Sequence, residues 1–414
     1  MPSVIVKEPA RVAFAKKELD TPKVEKADSV KDTPKVEKTN VKDTPKVEKA
    51  NVKDTQKVEK TDSVEDNEVA VNTGDATGGV SGWSIGLGAL VLGGLAAAAG
   101  GGGGGGSSSG DGGVTTSWSS VSGWGEIDVL AALSSLTGEE YVDTADADDV
   151  SWGINRSDAN DVNALGYTGN GVVIAIIDSG IDTENSDIMG NVIYQYDYVN
   201  DDTDATDDNG HGTAVASIIA AANNGEGLTG AAYDAELMIL KVLNADGAGY
   251  ASDISEAIRY AVDHGADIIS MSLGGEVGTS VDCLEALQYA DDHGVLVVIA
   301  SGNEYASEPA PPAIAAQEID GILAVGAIDI DGLIADFSND AGSSTPYGYV
   351  VAAGVDVEVY DLGGGTVLYD GTSFSAPLVA AEAAILLSTG LIADNTSTDE
   401  ALVNLITSSA NPVV

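Results

Sequence analysis

Short apolar runs alternate with helix-like patterns along the chain from residue 172 onward. The apolar runs lie at 172–177, 237–242, 268–272, 295–300 and 322–325, and their length and continuous apolar character are typical of buried parallel strands. Between them, apolar positions recur with helical spacing, most clearly at 252–264 and 280–293. This alternation predicts an α/β fold in which helices flank both faces of a parallel sheet.

The N-terminal part of the chain has a different pattern. Between residues 20 and 60 the segment DTPKVEK occurs three times and the segment DTQKVEK once. Sequence so rich in Lys, Glu and Pro cannot bury an apolar core. We therefore predict a disordered, repeat-containing spacer at 1–82.

An apolar and Gly-rich segment follows at 83–113. Its apolar part, 83–99, is at the short limit of the roughly 17 to 25 residues that span a membrane. Two interpretations stay open: a membrane anchor, or a segment related to secretion. The second is based on composition, which is similar to that of the N-terminal parts of large bacterial surface or secreted proteins.

Charge is distributed unevenly along the chain, whose formal net charge is −48. Residues 1–66 contain 15 of the 18 Lys and Arg residues and 14 of the 66 Asp and Glu residues, so the rest has 3 basic and 52 acidic residues, a net charge of −49. Nucleic acid and anionic membrane surfaces require Lys and Arg, so this charge argues against them as partners. Bound cations, a salty environment and simple solubility stay open as reasons for the acidity.

Three short segments carry candidate chemistry: VVIAIIDSGID with Asp178, NGHGTAVAS with His211, and YDGTSFSAP with Ser373. A Ser hydroxyl is a poor nucleophile at neutral pH, so it needs an imidazole to take its proton and a carboxylate to orient that imidazole. Each segment alone has a plainer explanation, since Asp often ends a strand in a turn and Ser often caps a helix. Together they favour a catalytic triad.

The position of each residue within its predicted element supports this interpretation. His211 opens a helical run, whereas His264 and His293 each precede a Gly at a helix end, where a cation and a Gly cap are structural features. Ser373 precedes a helical run of small residues, so the backbone N–H groups of a helix N-terminus would favour an oxyanion beside it. Cys283 is the only cysteine; its helical pattern indicates a small core residue.

The order of the three segments, their flanking residues and a fourth segment, IASGNE with Asn303, resemble the subtilisin-like serine proteases, or subtilases. The resemblance covers about residues 152–409. It implies a serine endopeptidase of broad specificity that acts on proteins or peptides through an acyl-enzyme. In this interpretation Asp178 orients His211, His211 is the general base and then the general acid, Ser373 is the nucleophile, and Asn303 donates a hydrogen bond to the oxyanion.

The resemblance also implies a domain organisation and a location. The catalytic domain would occupy 151–414, and the short pre-region at 114–150 would be the remnant of a propeptide. The chain stops at Val414, before the last strand and helix usual in the family, so we expect either a fragment or a fold that closes differently. An extracellular or cell-surface location of bacterial type is expected.

A substrate cleft follows from the same resemblance. An extended peptide bound as an added strand gains affinity with little demand on its sequence. Glu304, at the rim of the pocket for the residue before the cut, is expected to make basic side chains acceptable. The other matching positions are one edge and wall at Ser272, Leu273, Gly274 and Gly275, the opposite wall at Ala300, Ser301 and Gly302, and the second edge at Gly247, Ala248 and Gly249.

Calcium is the ion that the resemblance implies, in a structural role. Asp187 and Asn224 match positions that ligate Ca²⁺ in the family. The loop NDDTDATDD is a second candidate, through Asp201, Asp202 and Asp204, because hard oxygen ligands suit Ca²⁺. A plain acidic surface loop is the alternative there, and the spacing of an EF-hand is absent from the sequence.

Two other functions stay open. The first is a catalytically inactive subtilase-like binding module of a surface protein, which the complete set of Asp178, His211, Ser373 and Asn303 argues against. The second is a serine esterase, which would require the motif GxSxG around the nucleophile and the order Ser, acid, His. Two positions depart from the family pattern, since Ala214 and Leu378 stand where His is common; neither belongs to the proposed triad.

Overall fold

The computed structural model describes residues 118–144, 150–343 and 345–413. The predicted spacer at 1–82 and the apolar, Gly-rich segment at 83–113 lie outside the described residues, as does the hypothesis of a membrane anchor at 83–99. Within the described part, no helix has the length and apolar character needed to cross a membrane.

A parallel sheet is the centre of the molecule. Its strands are β1 Val173–Asp178, β2 Val192–Asp197, β3 Glu236–Lys241, β4 Ile268–Met271, β5 Leu296–Ala300, β6 Ile322–Ile328 and β7 Tyr349–Ala353. They lie in the order β2-β3-β1-β4-β5-β6-β7, and every neighbouring pair is parallel. Each predicted apolar run coincides with one of these strands to within a few residues, so the predicted α/β fold is confirmed.

Helices cover both faces of the sheet. The described residues form α1 Val129–Thr137, α2 Trp152–Arg156, α3 Ala159–Ala164, α4 Ser186–Met189, α5 His211–Ala220, α6 Ala251–Asp263, α7 Val281–Asp292, α8 Thr372–Ser388 and α9 Thr398–Ser409. Strand β1 has an apolar core on each side: Ile174 and Ile176 join one core with α5, α8 and α9, whereas Ala175 and Ile177 join the other with α6 and α7. Burial on both sides explains the continuous apolar run.

Helix α8 carries the candidate nucleophile into this core. Apart from Glu382, its side chains are small or apolar on all sides, and they are buried from Thr372 to Leu386. It packs against α5 and against the strands from β4 to β7. Ser373 is the second residue of α8, and His211 is the first residue of α5, so the packing of two helices brings both ends to the same region.

The described part of the predicted pre-region also packs into the domain. Helix α1 lies against α9, and Leu133 is fully buried in the core. Glu126 forms isolated β-bridges with Val351 of β7 and with Asn411 near the end of the chain. Its interpretation as the remnant of a propeptide stays a prediction, as do the domain boundaries.

Elements outside the central sheet complete the fold. A two-stranded antiparallel hairpin, β8 Val357–Tyr360 and β9 Thr366–Tyr369, precedes α8, and β8 packs against α5. His264 and His293 lie at the C-terminal ends of α6 and α7, where their Nδ1 atoms bond to Tyr260 O at 2.8 Å and Tyr289 O at 2.7 Å. Their structural role is therefore the one that the sequence predicts.

Candidate active site

Asp178 and His211 form a buried hydrogen-bonded pair. His211 Nδ1 lies 2.8 Å from Asp178 Oδ1 and 3.0 Å from Oδ2, so it donates to the carboxylate. Asp178 is the last residue of β1 and its side chain is 1% exposed; His211, at the start of α5, is 7% exposed. The carboxyl end of a parallel strand thus places the acid, and the start of a helix places the imidazole.

Burial and charge act in opposite directions on the imidazole of His211. Burial alone would lower the pKa of His211, because it disfavours the cation. The negative charge of Asp178, the hydrogen bond from Nδ1 to that carboxylate and the more distant charge of Asp207 all raise it. The net result is a pKa above the ordinary value. The site therefore stabilises an imidazolium, which a general base becomes after it takes a proton.

Asp207 holds the turn that leads into His211. Its carboxylate accepts hydrogen bonds from Ser179 Oγ at 2.9 Å, from Gly210 N at 2.9 Å, and from Thr213 N and Oγ1 at 2.9 and 2.6 Å. Burial alone would raise the pKa of Asp207, but these donors lower it below its ordinary value. In the sequence, Asp207 is only one more acid of the loop 200–208, because nothing in its local pattern reveals where its donors come from.

A buried lysine supports the opposite side of the same turn. Lys241, the last residue of β3, is 1% exposed. Its Nζ donates to Asp208 Oδ1 at 2.7 Å, to Ser179 O at 2.6 Å and to Leu243 O at 2.8 Å. These donations satisfy a buried cation, and they anchor the backbone that follows Asp178.

Ser373 lies at the N-terminus of α8, which packs against α5, the helix that His211 opens. Its hydroxyl donates to the carbonyl oxygen of Ser272 at 3.4 Å, and the hydroxyl of Ser272 donates to the carbonyl oxygen of Ser373 at 2.7 Å. The ring of the next residue, Phe374, lies 5.7 Å from the imidazole of His211, centroid to centroid. His211 Nε2 is buried and makes no hydrogen bond to any residue that the structure describes. This nitrogen is therefore available as a proton acceptor.

The side-chain amide of Asn303 is oriented by Thr372. Asn303 Oδ1 accepts from Thr372 N at 2.9 Å and from Thr372 Oγ1 at 3.0 Å. Thr372 Oγ1 in turn accepts from Gly302 N at 3.2 Å. Because the oxygen of the amide is occupied, its NH₂ group is the part left to donate on the side of Ser373. Thr372 was not predicted from the sequence, although its position directly before the candidate nucleophile was a usable signal.

A pocket of about 450 Å³ opens beside Ser373. Asn339, which was not predicted from the sequence, is part of its lining: its side chain accepts from Glu304 N and Ala306 N and donates to Ser301 O and Glu304 Oε2. The pocket is lined by the predicted residues Leu273, Gly274, Gly275, Ala300, Gly302, Asn303, Glu304 and Ser373, together with Thr279, Ala306, Glu308, Pro309, Ala310, Pro311, Asn339 and Thr372.

The remaining predicted substrate residues lie outside this lining. Ser301 is buried, and its hydroxyl donates to Asn339 O at 3.2 Å. Ser272 is buried as well, in the reciprocal bonds with Ser373. Gly247, Ala248 and Gly249 lie in the loop between β3 and α6, which is closed by hydrogen bonds of Asn244 with Gly247 and Ala248. Their role as the second edge of the cleft stays a prediction.

The predicted calcium ligands Asp187 and Asn224 contact each other directly. Asn224 Nδ2 donates to Asp187 Oδ1 at 2.6 Å, and the hydroxyl of Tyr360 donates to Asp187 Oδ2 at 2.5 Å. Both oxygens of the carboxylate therefore face hydrogen-bond donors, whereas Ca²⁺ requires several oxygen atoms that are turned toward it. As arranged, this pair of side chains does not fit a cation.

The second predicted calcium loop is exposed, and its carboxylates accept hydrogen bonds from the loop itself or from the preceding strand β2. Asp201 Oδ1 accepts from Tyr196 OH at 2.6 Å, Asp202 Oδ1 accepts from Asp204 N at 2.9 Å, and Asp204 Oδ1 accepts from Thr206 Oγ1 at 2.6 Å. In the part of the chain that the structure describes, the one group of three carboxylates whose oxygens converge within 4.8 Å is elsewhere, at Asp143, Asp158 and Asp161.

Comparison with known proteins agrees with this geometry. The chain is similar to the thermophilic serine proteinase of Bacillus sp. (strain AK1), with 39% identity over 224 residues that cover 53% of this chain and 53% of the relative. It is similar to subtilisin E of Bacillus subtilis (strain 168), with 36% identity over 251 residues, 60% of this chain and 64% of the relative. It is also similar to the subtilisin of Bacillus pumilus, with 37% identity over 243 residues, which cover 58% of this chain and 86% of the relative.

The family comparison covers more than half of the chain. The chain spans about half to two thirds of the length of the first two relatives. The model of the subtilase family matches residues 169–413, which is more than half of the chain and includes Asp178, His211, Asn303 and Ser373. This protein belongs to the subtilase family.

Proposed function

We propose that this protein is a serine endopeptidase that hydrolyses peptide bonds through Asp178, His211 and Ser373. The observation that carries the proposal is the buried pair of His211 and Asp178, in which Nδ1 is held by the carboxylate while Nε2 is left without a partner among the described residues. A base in this state, beside a Ser at a helix N-terminus, is arranged for acyl transfer. The names of the relatives, a serine proteinase and subtilisins, support the same activity.

Acylation begins with a rotation of the Ser373 side chain. The hydroxyl leaves the carbonyl oxygen of Ser272 and donates to His211 Nε2 instead. As Ser373 Oγ forms a bond to the carbonyl carbon of the substrate, its proton passes to Nε2, and Asp178 stabilises the resulting imidazolium. His211 then gives that proton to the leaving amine as the peptide bond breaks. Water then attacks the carbonyl carbon of the acyl-enzyme while His211 takes its proton. His211 returns that proton to Ser373 Oγ as the ester bond breaks, so Ser373 is regenerated and the carboxylic acid product leaves.

Two donors are available for the oxyanion of the tetrahedral intermediate. The first is the NH₂ group of Asn303, which Thr372 orients. The second is the backbone N–H of Ser373, which belongs to the first turn of α8 and has no intrahelical acceptor. Removal of one such donor costs about 10²- to 10³-fold in kcat, a value established for this donor within the same family.

The test compares purified protein with its Ser373→Ala variant. We expect the protein to hydrolyse an unstructured protein substrate and to be labelled by a fluorophosphonate at Ser373, and we expect the variant to fold normally and to do neither. Circular dichroism of both proteins checks the fold. Hydrolysis by the Ser373→Ala variant would refute the assignment of the nucleophile.

The same labelling experiment distinguishes the proposed protease from the alternative function. A catalytically inactive binding module would leave Ser373 unlabelled even though the fold is intact. No observation on the structure favours that alternative, since the imidazole and the carboxylate are paired and the pocket beside Ser373 is open. We therefore retain hydrolysis of proteins or peptides, with an extracellular or cell-surface location, as the proposal.

Substrate selection is proposed to depend on the pocket beside Ser373. Broad specificity is expected because an extended peptide binds mainly through its backbone. Two carboxylates line the pocket, those of Glu304 and Glu308, so a basic side chain before the cut should be accepted beside an apolar one. We expect Glu304→Gln to lower the ratio of cleavage after Lys to cleavage after Leu; an unchanged ratio in peptide assays would remove this role of Glu304.

A structural calcium ion remains in the proposal at one of its two predicted positions. The exposed loop with Asp201, Asp202 and Asp204 offers carboxylates to solvent, and a cation there would draw them together. It would support the turn that carries Asp207, with no part in the chemistry. If it binds, the melting temperature rises with calcium, and Asp202→Asn with Asp204→Asn removes that rise.

A further inference from the structure

Tyr360 lies where a cation would meet Asp187. It is the last residue of β8, and it is 5% exposed. Its hydroxyl accepts a hydrogen bond from Leu228 N at 2.9 Å and donates its proton to Asp187 Oδ2 at 2.5 Å. The direction of donation is fixed, because an oxygen that accepts from a backbone N–H directs its own proton at the remaining acceptor. The charge of Asp187 is thus met by a hydroxyl of the same chain.

Asn224 presents a donor to the same carboxylate. Its Oδ1 accepts from Glu226 N at 2.8 Å, so its NH₂ group must face Asp187 Oδ1, at 2.6 Å. A flipped amide would lose both hydrogen bonds, and this fixes the assignment of oxygen and nitrogen. As a ligand of a cation, Asn224 would have to turn an oxygen toward the ion. The orientation that the loop imposes does the opposite.

The backbone leaves little space beside the hydroxyl of Tyr360. Gly227 adopts a φ of +69°, and a Cβ atom on this residue would lie 1.9 Å from the hydroxyl oxygen of Tyr360 and 3.0 Å from Asp187 Oδ2. Only Gly permits this approach at a positive φ. The loop therefore packs directly on the hydroxyl, at the point where a bound ion would need room for its ligands.

We infer that Tyr360, Asp187 and Asn224 form a metal-free lock that takes the place of a calcium ion at this position. The lock joins the β8–β9 hairpin to α4 and to the loop after α5 through hydrogen bonds of the protein alone. Calcium does not bind at Asp187, and removal of calcium leaves this part of the molecule unchanged. The inference does not depend on the proposed activity.

The test measures how calcium changes the melting temperature of the full chain, in the Ser373→Ala background so that self-digestion cannot interfere. Each protein is melted in EDTA, in calcium and in the same concentration of magnesium, which corrects for screening of the acidic surface. We expect Asp187→Asn to have the same calcium-specific shift as the parent protein, because Asp187 is not a ligand. A calcium-specific shift that falls or disappears in Asp187→Asn would overturn the lock.

A second variant keeps the inference falsifiable if Asp187→Asn fails to fold. Tyr360→Phe removes the hydroxyl and keeps the ring, so its melting temperature should fall by several degrees, equally in EDTA and in calcium. Tyr289→Phe is the matched control, since it removes an exposed Tyr–Asp hydrogen bond of 2.8 Å to Asp263 and should change the melting temperature little. An unchanged melting temperature in Tyr360→Phe, or a fall in EDTA that calcium prevents, would contradict the lock.

Discussion

The surroundings of His211 determine how the proposed activity depends on pH. In the proposed mechanism His211 acts as a base, which requires a neutral imidazole, and Asp178 raises its pKa above the ordinary value of about 6.5. We therefore expect kcat/KM to fall as the pH is lowered through a value above about 6.5. A peptide assay between about pH 5 and pH 9 measures this.

The control for this profile is a folding measurement over the same pH range. Because the pKa of His211 is raised in the folded state, its contribution to stability is fully present below the unfolded pKa and is lost as the pH rises through the folded value. Activity and this contribution to stability should therefore change in opposite directions. A pH profile that stays flat down to about pH 4 would contradict the role of His211 as the base.

Helix α9 carries a buried acid that is not satisfied when ionised. Asp399 is fully buried, its Oδ2 has no donor among the described residues, and Asp291 of α7 lies beside it. Burial first, and then the charge of Asp291, raise the pKa of Asp399 to about 7. The raised pKa means that the folded state keeps a proton that the unfolded state releases. The contribution of Asp399 to the free energy of unfolding should therefore decrease as the pH rises from about 4 to about 7.

The Asp399→Asn variant tests this element directly. Asn keeps the shape and supplies the donor that the protonated acid provides, so we expect the variant to be more stable at pH 8 by about 1 to 3 kcal/mol, the usual cost of an unsatisfied buried group. Denaturant unfolding at pH 5 and pH 8 measures it. Asp394→Asn, an exposed acid in the preceding loop, is the control. Equal changes in the free energy of unfolding at pH 8 in the two variants would contradict the role of the buried Asp399 carboxylate.

The charge of the whole molecule predicts a response to salt. After residue 66 the chain has 3 basic and 52 acidic residues, so like charges repel one another over most of the surface. We expect the melting temperature of the Ser373→Ala variant to rise between about 0.1 M and about 1 M NaCl, because the Debye length falls from about 10 Å to about 3 Å. At about pH 4, where carboxylates protonate, the rise should largely disappear. A melting temperature that falls with salt at pH 7 would contradict the idea that repulsion between like charges destabilises the protein.

The sequence was sufficient to predict the elements whose pattern is local. A strand buried on both faces reads as a continuous apolar run, so β1, β3, β4, β5 and β6 were predicted within a few residues. Strand β2 was missed because its sequence, VIYQYD, mixes apolar and polar residues at the edge of the sheet. The β8–β9 hairpin was missed because each strand is only four residues long and β9 has no fully buried residue, so neither gives a long apolar run.

Asp178, His211 and Ser373 were proposed from the sequence alone because each lies in a distinctive segment at the start or end of an element. Only the tertiary structure decided how their neighbours act. Thr372 orients Asn303 from 69 positions away along the chain, and Tyr360 reaches Asp187 across 173 positions. The periodicity of the sequence indicates which side of an element is buried, but it does not indicate which distant side chain is the hydrogen-bond partner. Hydrogen bonds between residues so far apart form only after the sheet and its helices have brought them together.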